Sequence, residues 1–183
     1  NKLGSGTQTG IGNALNNAIS GSVRDDTVWG NDGHDSIYGM GGADSLYGGY
    51  GNDWISTGSG DDIAYGESGN DTLLGNPGDT LKGGIGDDTY VVGSGTTVTE
   101  YYEEGTDTVQ TLFSWTLGAS LENLELINDG AATNGTGNSL ANLMSGSAVG
   151  NTLSGLDGRD TINGMGGNDS ILGGNDIDVL NGG

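Results

Sequence analysis

Gly30-Asn31-Asp32-Gly33-His34-Asp35-Ser36-Ile37-Tyr38, Gly39-Met40-Gly41-Gly42-Ala43-Asp44-Ser45-Leu46-Tyr47 and Gly48-Gly49-Tyr50-Gly51-Asn52-Asp53-Trp54-Ile55-Ser56 are three consecutive copies of one nine-residue frame. Each opens on glycine, carries Asp at position six and a large apolar residue at position eight. The frame runs on through Asp62 and Asp71, an eight-residue variant at 75–82 with Asp79, and residues 83–91 with Asp88. It also runs back to Asp26 and to Gly12, where Asn17 holds the Asp slot. After a different stretch it resumes at Gly137 and holds to Asn181, with Asn142 and Asn151 and then Asp160, Asp169 and Asp178 in that slot. A shift of 125 residues lays the second run on the first, carrying Asp35, Asp44 and Asp53 onto Asp160, Asp169 and Asp178. Self-similarity at a fixed short period marks a stacked-repeat architecture.

The eighth-position residues are Val28, Ile37, Leu46, Ile55, Leu73, Leu81, Ile162, Ile171 and Leu180. Strand alternation sends them inward and their neighbours outward, which makes a thin core of one side chain per repeat. The preceding six residues form a turn in which glycines permit positive φ and point carbonyls at one spot. Two nonapeptides, one per side, make a coil of eighteen residues, so stacked turns belong to repeats n and n+2. Asp26, Asp44, Asp62 and Asp79 are then expected along one edge, and Asp35, Asp53, Asp71 and Asp88 along the other. A hard cation such as Ca²⁺ takes six to eight oxygens, and carbonyls plus a carboxylate from two stacked turns can supply them.

Composition agrees. The 183 residues include 40 glycines, one proline and no cysteine, and only 32% are apolar, so a conventional packed core is not expected. The net charge of −21 opposes collapse and excludes a nucleic-acid grip, since Lys2, Arg24, Lys82 and Arg159 are scattered singly. A metal cation is the counter-ion this charge calls for, and without disulfides it is also the expected source of extracellular stability. No run reaches the length of a membrane span and no signal peptide opens the chain, which starts mid-pattern at Asn1 as a piece of a longer protein would.

These in-frame copies resemble the RTX (repeats-in-toxin), or haemolysin-type, calcium-binding family. The resemblance implies an all-β, right-handed parallel β-roll with Ca²⁺ between stacked turns, each ion held by carbonyls two and four plus the Asp of one turn. The other half comes from carbonyls one and three plus the Asp two repeats later. Carried over, Asn31 and Gly33 with Asp35 face Gly48 and Tyr50 with Asp53, and Met40 and Gly42 with Asp44 face Thr57 and Ser59 with Asp62. Likewise Gly49 and Gly51 with Asp53 face Gly66 and Ser68 with Asp71, and Gly58 and Gly60 with Asp62 face Gly75 and Pro77 with Asp79. Glu67 and Gly69 with Asp71 face Gly83 and Ile85 with Asp88, and Leu156 and Gly158 with Asp160 face Gly173 and Asn175 with Asp178. Asp26 and Asp169 complete the side-chain set, for roughly five to nine ions in all. Departures weaken some sites: Arg24 replaces a turn glycine before Asp26, Pro77 sits in the shortened repeat, Asp176 replaces a glycine, and Asn142 and Asn151 lack the charge.

Other readings fit less well. A merely solvated acidic face does not require Asp locked to one position, and no EF-hand loop closes with Glu at its twelfth position. His34, the single histidine, stands where other repeats have Ala43, Asn52 or Asp61, so neither a zinc cage nor a nucleophile pair is expected, and the chain reads as non-enzymatic. The repeat also explains the paired carboxylates that a glycosidase would need. Trp29, Tyr47 and Tyr65 recur at eighteen-residue spacing and predict an outward aromatic ladder, read first as cross-strand pairing and alternatively as a face for sugar rings or a partner domain.

The expected organisation is a first block at 1–91, with degenerate repeats at about 12–29 and full ones at 30–91. A non-repetitive β segment follows at 92–136, and a second block at 137–183 copies 12–58, degenerate at 137–154 and full from 155. Residues 92–136 are read as longer rungs continuing the solenoid, with a small sandwich packed beside it as the alternative. The function expected is a calcium-folded, non-catalytic module that stabilises or spaces a larger extracellular protein exported by type I secretion. The rivals are a polysaccharide- or partner-binding module beside an enzyme, and an adhesin or surface-layer repeat.

Overall fold

The structure is a computed structural model and describes residues 6–127 and 133–183. Among the described residues there are strands, turns and bends and no helix. The chain divides into two compact units, residues 1–105 and 106–183.

In the first unit the strands are β1 (Thr9–Ile11), β2 (Ala18–Ser20), β3 (Thr27–Asp32), β4 (Ser36–Gly41), β5 (Ser45–Tyr50), β6 (Trp54–Ser59), β7 (Ile63–Ser68), β8 (Thr72–Gly75), β9 (Thr80–Ile85), β10 (Thr89–Val92) and β11 (Thr97–Val98). Odd strands pair with odd and even with even, all parallel, in the orders β1-β3-β5-β7-β9-β11 and β2-β4-β6-β8-β10. Val28 lies against Leu46 and Ile37 against Ile55, so each coil is two repeats and eighteen residues long. The eight-residue repeat shortens the offset to seventeen, Ile63 pairing with Thr80 and Thr72 with Thr89.

The sheet form follows from the sequence. Thr or Ser precedes a branched or large apolar residue in most repeats, and alternation buries the latter alone. Val28, Ile37, Leu46, Ile55, Ala64, Leu73, Leu81 and Tyr90 are fully buried and face one another across the coil interior. The strands then run through the first glycines of the next turn, where stacked coils touch backbone to backbone. A Cβ on Gly49 would overlap the Asn31 carbonyl and one on Gly51 the Gly33 carbonyl, and both glycines have positive φ (116° and 122°).

The second unit comprises β12 (Thr108–Thr111), β13 (Trp115–Thr116), β14 (Asn123–Leu126), β15 (Asn134–Thr136), β16 (Leu143–Ser145), β17 (Thr152–Leu156), β18 (Thr161–Asn163), β19 (Ser170–Gly174) and β20 (Val179–Asn181). They form two parallel rows, β12-β14-β16-β18-β20 and β13-β15-β17-β19. The offset is fifteen residues from β12 to β14, twenty from β14 to β16, and eighteen thereafter.

The described part of 92–136 thus forms parallel rungs and no separate sandwich, but its strands are not longer than those of the repeats. β11 to β14 have two or four residues, against six in β3 to β7. The cause is local: strands in full repeats extend through a glycine turn that stacks on its neighbour, whereas these rungs break at corners such as 118–120 that lack it.

Candidate metal-binding turns

The position-six aspartates stand in two columns, held by hydrogen bonds between their own backbones and carboxylates. Along one edge the N–H of Asp26 donates to Asp44 Oδ1 (2.8 Å), that of Asp44 to Asp62 (2.6 Å) and that of Asp62 to Asp79 (2.9 Å). Along the other, Asp35 donates to Asp53, Asp53 to Asp71 and Asp71 to Asp88, each at 2.7 Å. In the second unit Asn142 donates to Asp160 (2.8 Å), Asn151 to Asp169 (2.9 Å) and Asp160 to Asp178 (3.0 Å). One carboxylate oxygen is therefore engaged by the coil before.

The other oxygen separates two kinds of turn. In the open kind, Oδ2 of Asp35, Asp44, Asp53, Asp62, Asp71, Asp160 and Asp169 is buried and accepts no hydrogen bond. In all of these but Asp62, whose turn opens on Thr57, it sits where a Cβ on the first glycine of its own turn would lie, and the first carbonyl of the turn two repeats on comes to the same place. A side chain on Gly30 would overlap both Asp35 Oδ2 and the Gly48 carbonyl, and Gly48, Gly66 and Gly155 repeat this arrangement. Two acceptors brought together away from water, with no donor between them, are unfavourable unless a cation joins them.

In the closed kind the protein supplies the donor. Ser22 N–H reaches Asp26 Oδ2 (2.6 Å), while Gln8 N–H takes Oδ1 (2.7 Å). Asn76 N–H and the Thr57 hydroxyl both reach Asp79 Oδ2 (2.7 and 2.6 Å) in the shortened turn. Asn13 closes on Asn17 (2.7 Å), Asn138 on Asn142 (2.8 Å) and Ser147 on Asn151 (2.7 Å). Asp26, Asp79, Asn142 and Asn151, whose turns depart from the repeat in sequence, all fall in this kind. Backbone conformation divides the same way: the second residue of open turns takes positive φ even when it is not glycine, as at Asn31 (78°), Met40 (80°) and Leu156 (83°). Such conformations carry about 1–2 kcal/mol of strain per residue.

Burial dominates the electrostatics. It pushes Asp44 and Asp71 up to about 7, and Asp53 and Asp62 to about 6, and it raises Asp35 and Asp160. Neighbouring aspartates in the column add to the rise for Asp44, Asp53, Asp62 and Asp71, and the backbone N–H bond opposes it in part.

Of the carbonyls carried over from the resemblance, four at position three already accept one hydrogen bond each: Tyr50 from Gly33 (2.8 Å), Ser59 from Gly42 (3.0 Å), Ser68 from Gly51 (2.8 Å) and Ile85 from Gly69 (2.8 Å). Gly75 accepts from Gly93 (3.0 Å) and Leu156 from Asn175 (2.7 Å). A carbonyl has two lone pairs, so these remain able to face an ion as well. Among the described residues no group of three or more His, Cys, Asp or Glu converges, and the oxygens that approach one another at the open turns are one carboxylate oxygen and backbone carbonyls. That donor set suits a hard cation. The family comparison agrees: the RTX calcium-binding nonapeptide repeat matches in four copies, at residues 11–46, 47–79, 78–98 and 145–180, about two thirds of the chain.

The chain belongs to this family. It is a module of RTX calcium-binding repeats, a kind of domain that is structural and not typically catalytic, and such repeats are typical of secreted bacterial proteins. Comparison with curated proteins gives no match. No helix among the described residues is long and apolar enough to cross a membrane.

Sequence reading misses three features of the RTX site. Position five forms a second ladder: His34 Nδ1 accepts Asn52 N–H (2.7 Å), Asn52 Oδ1 accepts Asn70 (3.1 Å), and Asp25 accepts Ala43 (2.8 Å). His34 thus has a structural job as an acceptor. Asp107 and Glu122 extend the position-six column without a glycine turn, Asp107 N–H donating to Glu122 Oε2 (2.9 Å). Their signal is the tetrads Asp107-Thr108-Val109-Gln110 and Glu122-Asn123-Leu124-Glu125, which match Asp35-Ser36-Ile37-Tyr38 in pattern. The asparagine side chains, finally, act as donors as well as spacers.

The aromatic ladder is in place: Trp29 and Tyr47 centroids are 5.4 Å apart at 11°, Tyr47 and Tyr65 4.8 Å at 1°, and Lys82 Nζ lies 5.0 Å from the Tyr65 centroid.

Proposed function

We propose that this chain is a calcium-induced folding module of a secreted protein, non-catalytic, whose blocks at 1–91 and 137–183 stabilise or space a larger extracellular molecule. The observation that carries this reading is the row of buried, unbonded Oδ2 atoms from Asp35 to Asp71 and again at Asp160 and Asp169. At neutral pH the carboxylates of Asp35, Asp44, Asp53, Asp62, Asp71 and Asp160 are ionised in the unfolded chain and resist ionisation in the folded one, so the metal-free fold is opposed at those turns.

Bound Ca²⁺ supplies the positive charge and the oxygen-coordinating shell that such acceptors need. The chain does the rest: Oδ1 is already fixed by the neighbouring N–H, the glycines bring carbonyls close, and each turn joins two coils. Extracellular modules bind at roughly 10⁻⁴–10⁻³ M. A site held at ten times its Kd adds about 1.4 kcal/mol, so several weak sites together match the stability of a domain. A cytosol low in calcium then keeps the chain unfolded for export through a narrow channel, and the outside medium folds it. The 125-residue duplication favours a spacing role in a repetitive parent.

The test is far-ultraviolet circular dichroism during a Ca²⁺ titration at neutral pH, with Mg²⁺ as control. A cooperative coil-to-β transition between about 10⁻⁴ and 10⁻³ M Ca²⁺, absent with Mg²⁺, is the expected result. A β-rich spectrum in chelator that Ca²⁺ does not move would overturn the proposal.

A further inference from the structure

The closed turns of the second unit carry an arrangement that the repeat does not require. Asn138, Asn142 and Asn151 are all buried, at 9%, 2% and 3% exposure. Asn142 Nδ2 donates to the carbonyls of Leu121 (3.2 Å) and Glu122 (3.1 Å) and to Asn138 Oδ1 (3.2 Å), while its Oδ1 accepts Asn138 N–H. Asn138 Nδ2 donates to Gly118 (2.6 Å) and again to Leu121 (2.7 Å), and its Oδ1 accepts Leu140 N–H (2.8 Å). Asn151 Nδ2 reaches the Thr133 carbonyl (2.9 Å), with its Oδ1 taken by the Ser147 N–H and hydroxyl. Every one of these bonds spans from the non-repetitive rungs to the first turns of the second block, or closes those turns.

An open turn places acceptors against acceptors. Here the amide oxygen of Asn142 or Asn151 takes that position and accepts a backbone N–H from its own turn, while the amide NH₂ donates on the other side to carbonyls of the preceding rung, and no charge is removed from water. The apolar core beneath is also thicker than one residue per repeat: Leu117, Leu121, Leu124 and Leu126 are buried together with Met144 and Leu153.

We propose that Asn138, Asn142 and Asn151 are a calcium-independent fastener. They join the preceding rung to these turns without an ion and keep residues 117–127 and 133–154 folded when the open turns from 155 onward are released, so that the second block always has a formed edge on which its calcium-dependent coils restack. This rests on the calcium reading of the open turns, and it concerns the turns that reading leaves aside. Restacking on a formed edge avoids nucleating a lone coil, which has no neighbour to pair with.

The test is hydrogen–deuterium exchange of the whole chain at neutral pH, in Ca²⁺ and in chelator, read by mass spectrometry. In chelator, peptides from 134–154 are expected to exchange at least tenfold more slowly than those from 155–181 and from 30–71. Asn142→Asp is expected to abolish that protection in chelator and to regain it in Ca²⁺. Equal exchange of 134–154 and 155–181 in chelator would overturn the fastener while leaving the calcium reading intact, as would an Asn142→Asp chain protected in chelator like the wild type. Protection at all turns that ignores chelator would overturn the calcium reading and, with it, the contrast drawn here.

Discussion

The turns at 30–35 and 137–142 are two versions of one six-residue unit, yet they solve one problem in opposite ways. Both end on a four-atom side chain aimed into the coil interface. In the first, Asp35 gives Oδ1 to the Asn17 N–H (2.6 Å) and leaves Oδ2 buried without a partner, and Asn31 is held at positive φ. In the second, Asn142 gives its oxygen to Asn138 within the turn and its NH₂ to carbonyls of the preceding rung. The difference teaches that the fold itself does not demand a metal. What demands one is a strained turn that lines acceptors up and brings no donor.

The largest effect expected from this contrast is on pH. The folded carboxylates of Asp44, Asp53, Asp62 and Asp71 titrate at about 6–7 in the absence of metal, whereas unfolded Asp titrates at about 4. A raised folded value means the folded state holds protons more tightly. Its stabilising contribution is complete below about pH 4 and is lost as pH rises through 6 to 7. Protonation also gives each orphaned oxygen a donor of its own. In chelator, circular dichroism should therefore show β structure near pH 4.5 that melts away by pH 7.5. A metal-free spectrum independent of pH over that range would break the link between the open turns and calcium.

Much of this was legible in the sequence, and the limits are instructive. The eighteen-residue coil, the two Asp columns and the inward residues such as Ile37 and Leu46 follow from spacing alone, because a period of two in strands and of nine in repeats leaves one arrangement. Which lone pair is engaged does not follow from spacing. That Oδ1 of Asp53 belongs to Asp35 and only Oδ2 is left over depends on stacking that appears when coils are assembled. Asp107 and Glu122 escaped notice because the glycine turn, the loudest part of the pattern, is missing before them. The amides of Asn138 and Asn142 escaped because, read one residue at a time, Asn in an Asp slot registers as a loss of charge and not as a gain of two donors.

A smaller effect comes from exchanging one carboxylate in each kind of turn. Asp53→Asn removes the charge and the unbonded oxygen from an open turn while keeping an acceptor for the Asp35 N–H. It should forfeit about 1–2 kcal/mol at millimolar calcium and move the Ca²⁺ midpoint of folding upward several-fold. Asp26→Asn alters a turn whose two oxygens already accept protein N–H groups, from Gln8 and Ser22, and should shift the midpoint by less than about twofold. Equal shifts for the two variants, measured in parallel titrations, would mean that the open and closed turns are not distinct with respect to calcium.

The smallest effect lies away from the turns, on the outer face of the odd strands. Tyr47 and Tyr65 centroids are 4.8 Å apart with ring planes at 1°, too close for rings lying edge to edge, so their faces turn toward one another. Trp29 covers the far face of Tyr47, Lys82 sits over Tyr65, and Ile11 pairs with Trp29 at the other end of the row. A sugar ring binds an aromatic residue through its face, and these faces are already occupied by their neighbours. The contacts recorded for the ladder are those of cross-strand packing, of the order of 0.2–1 kcal/mol per pair. Tyr47→Ser breaks two pairs at once. It should lower the calcium-loaded melting temperature by a few degrees while leaving the number of bound ions, counted by native mass spectrometry, unchanged. A lost ion would show that the face and the turns are coupled through the strands, and the division between calcium-dependent turns and metal-free packing would have to be drawn elsewhere.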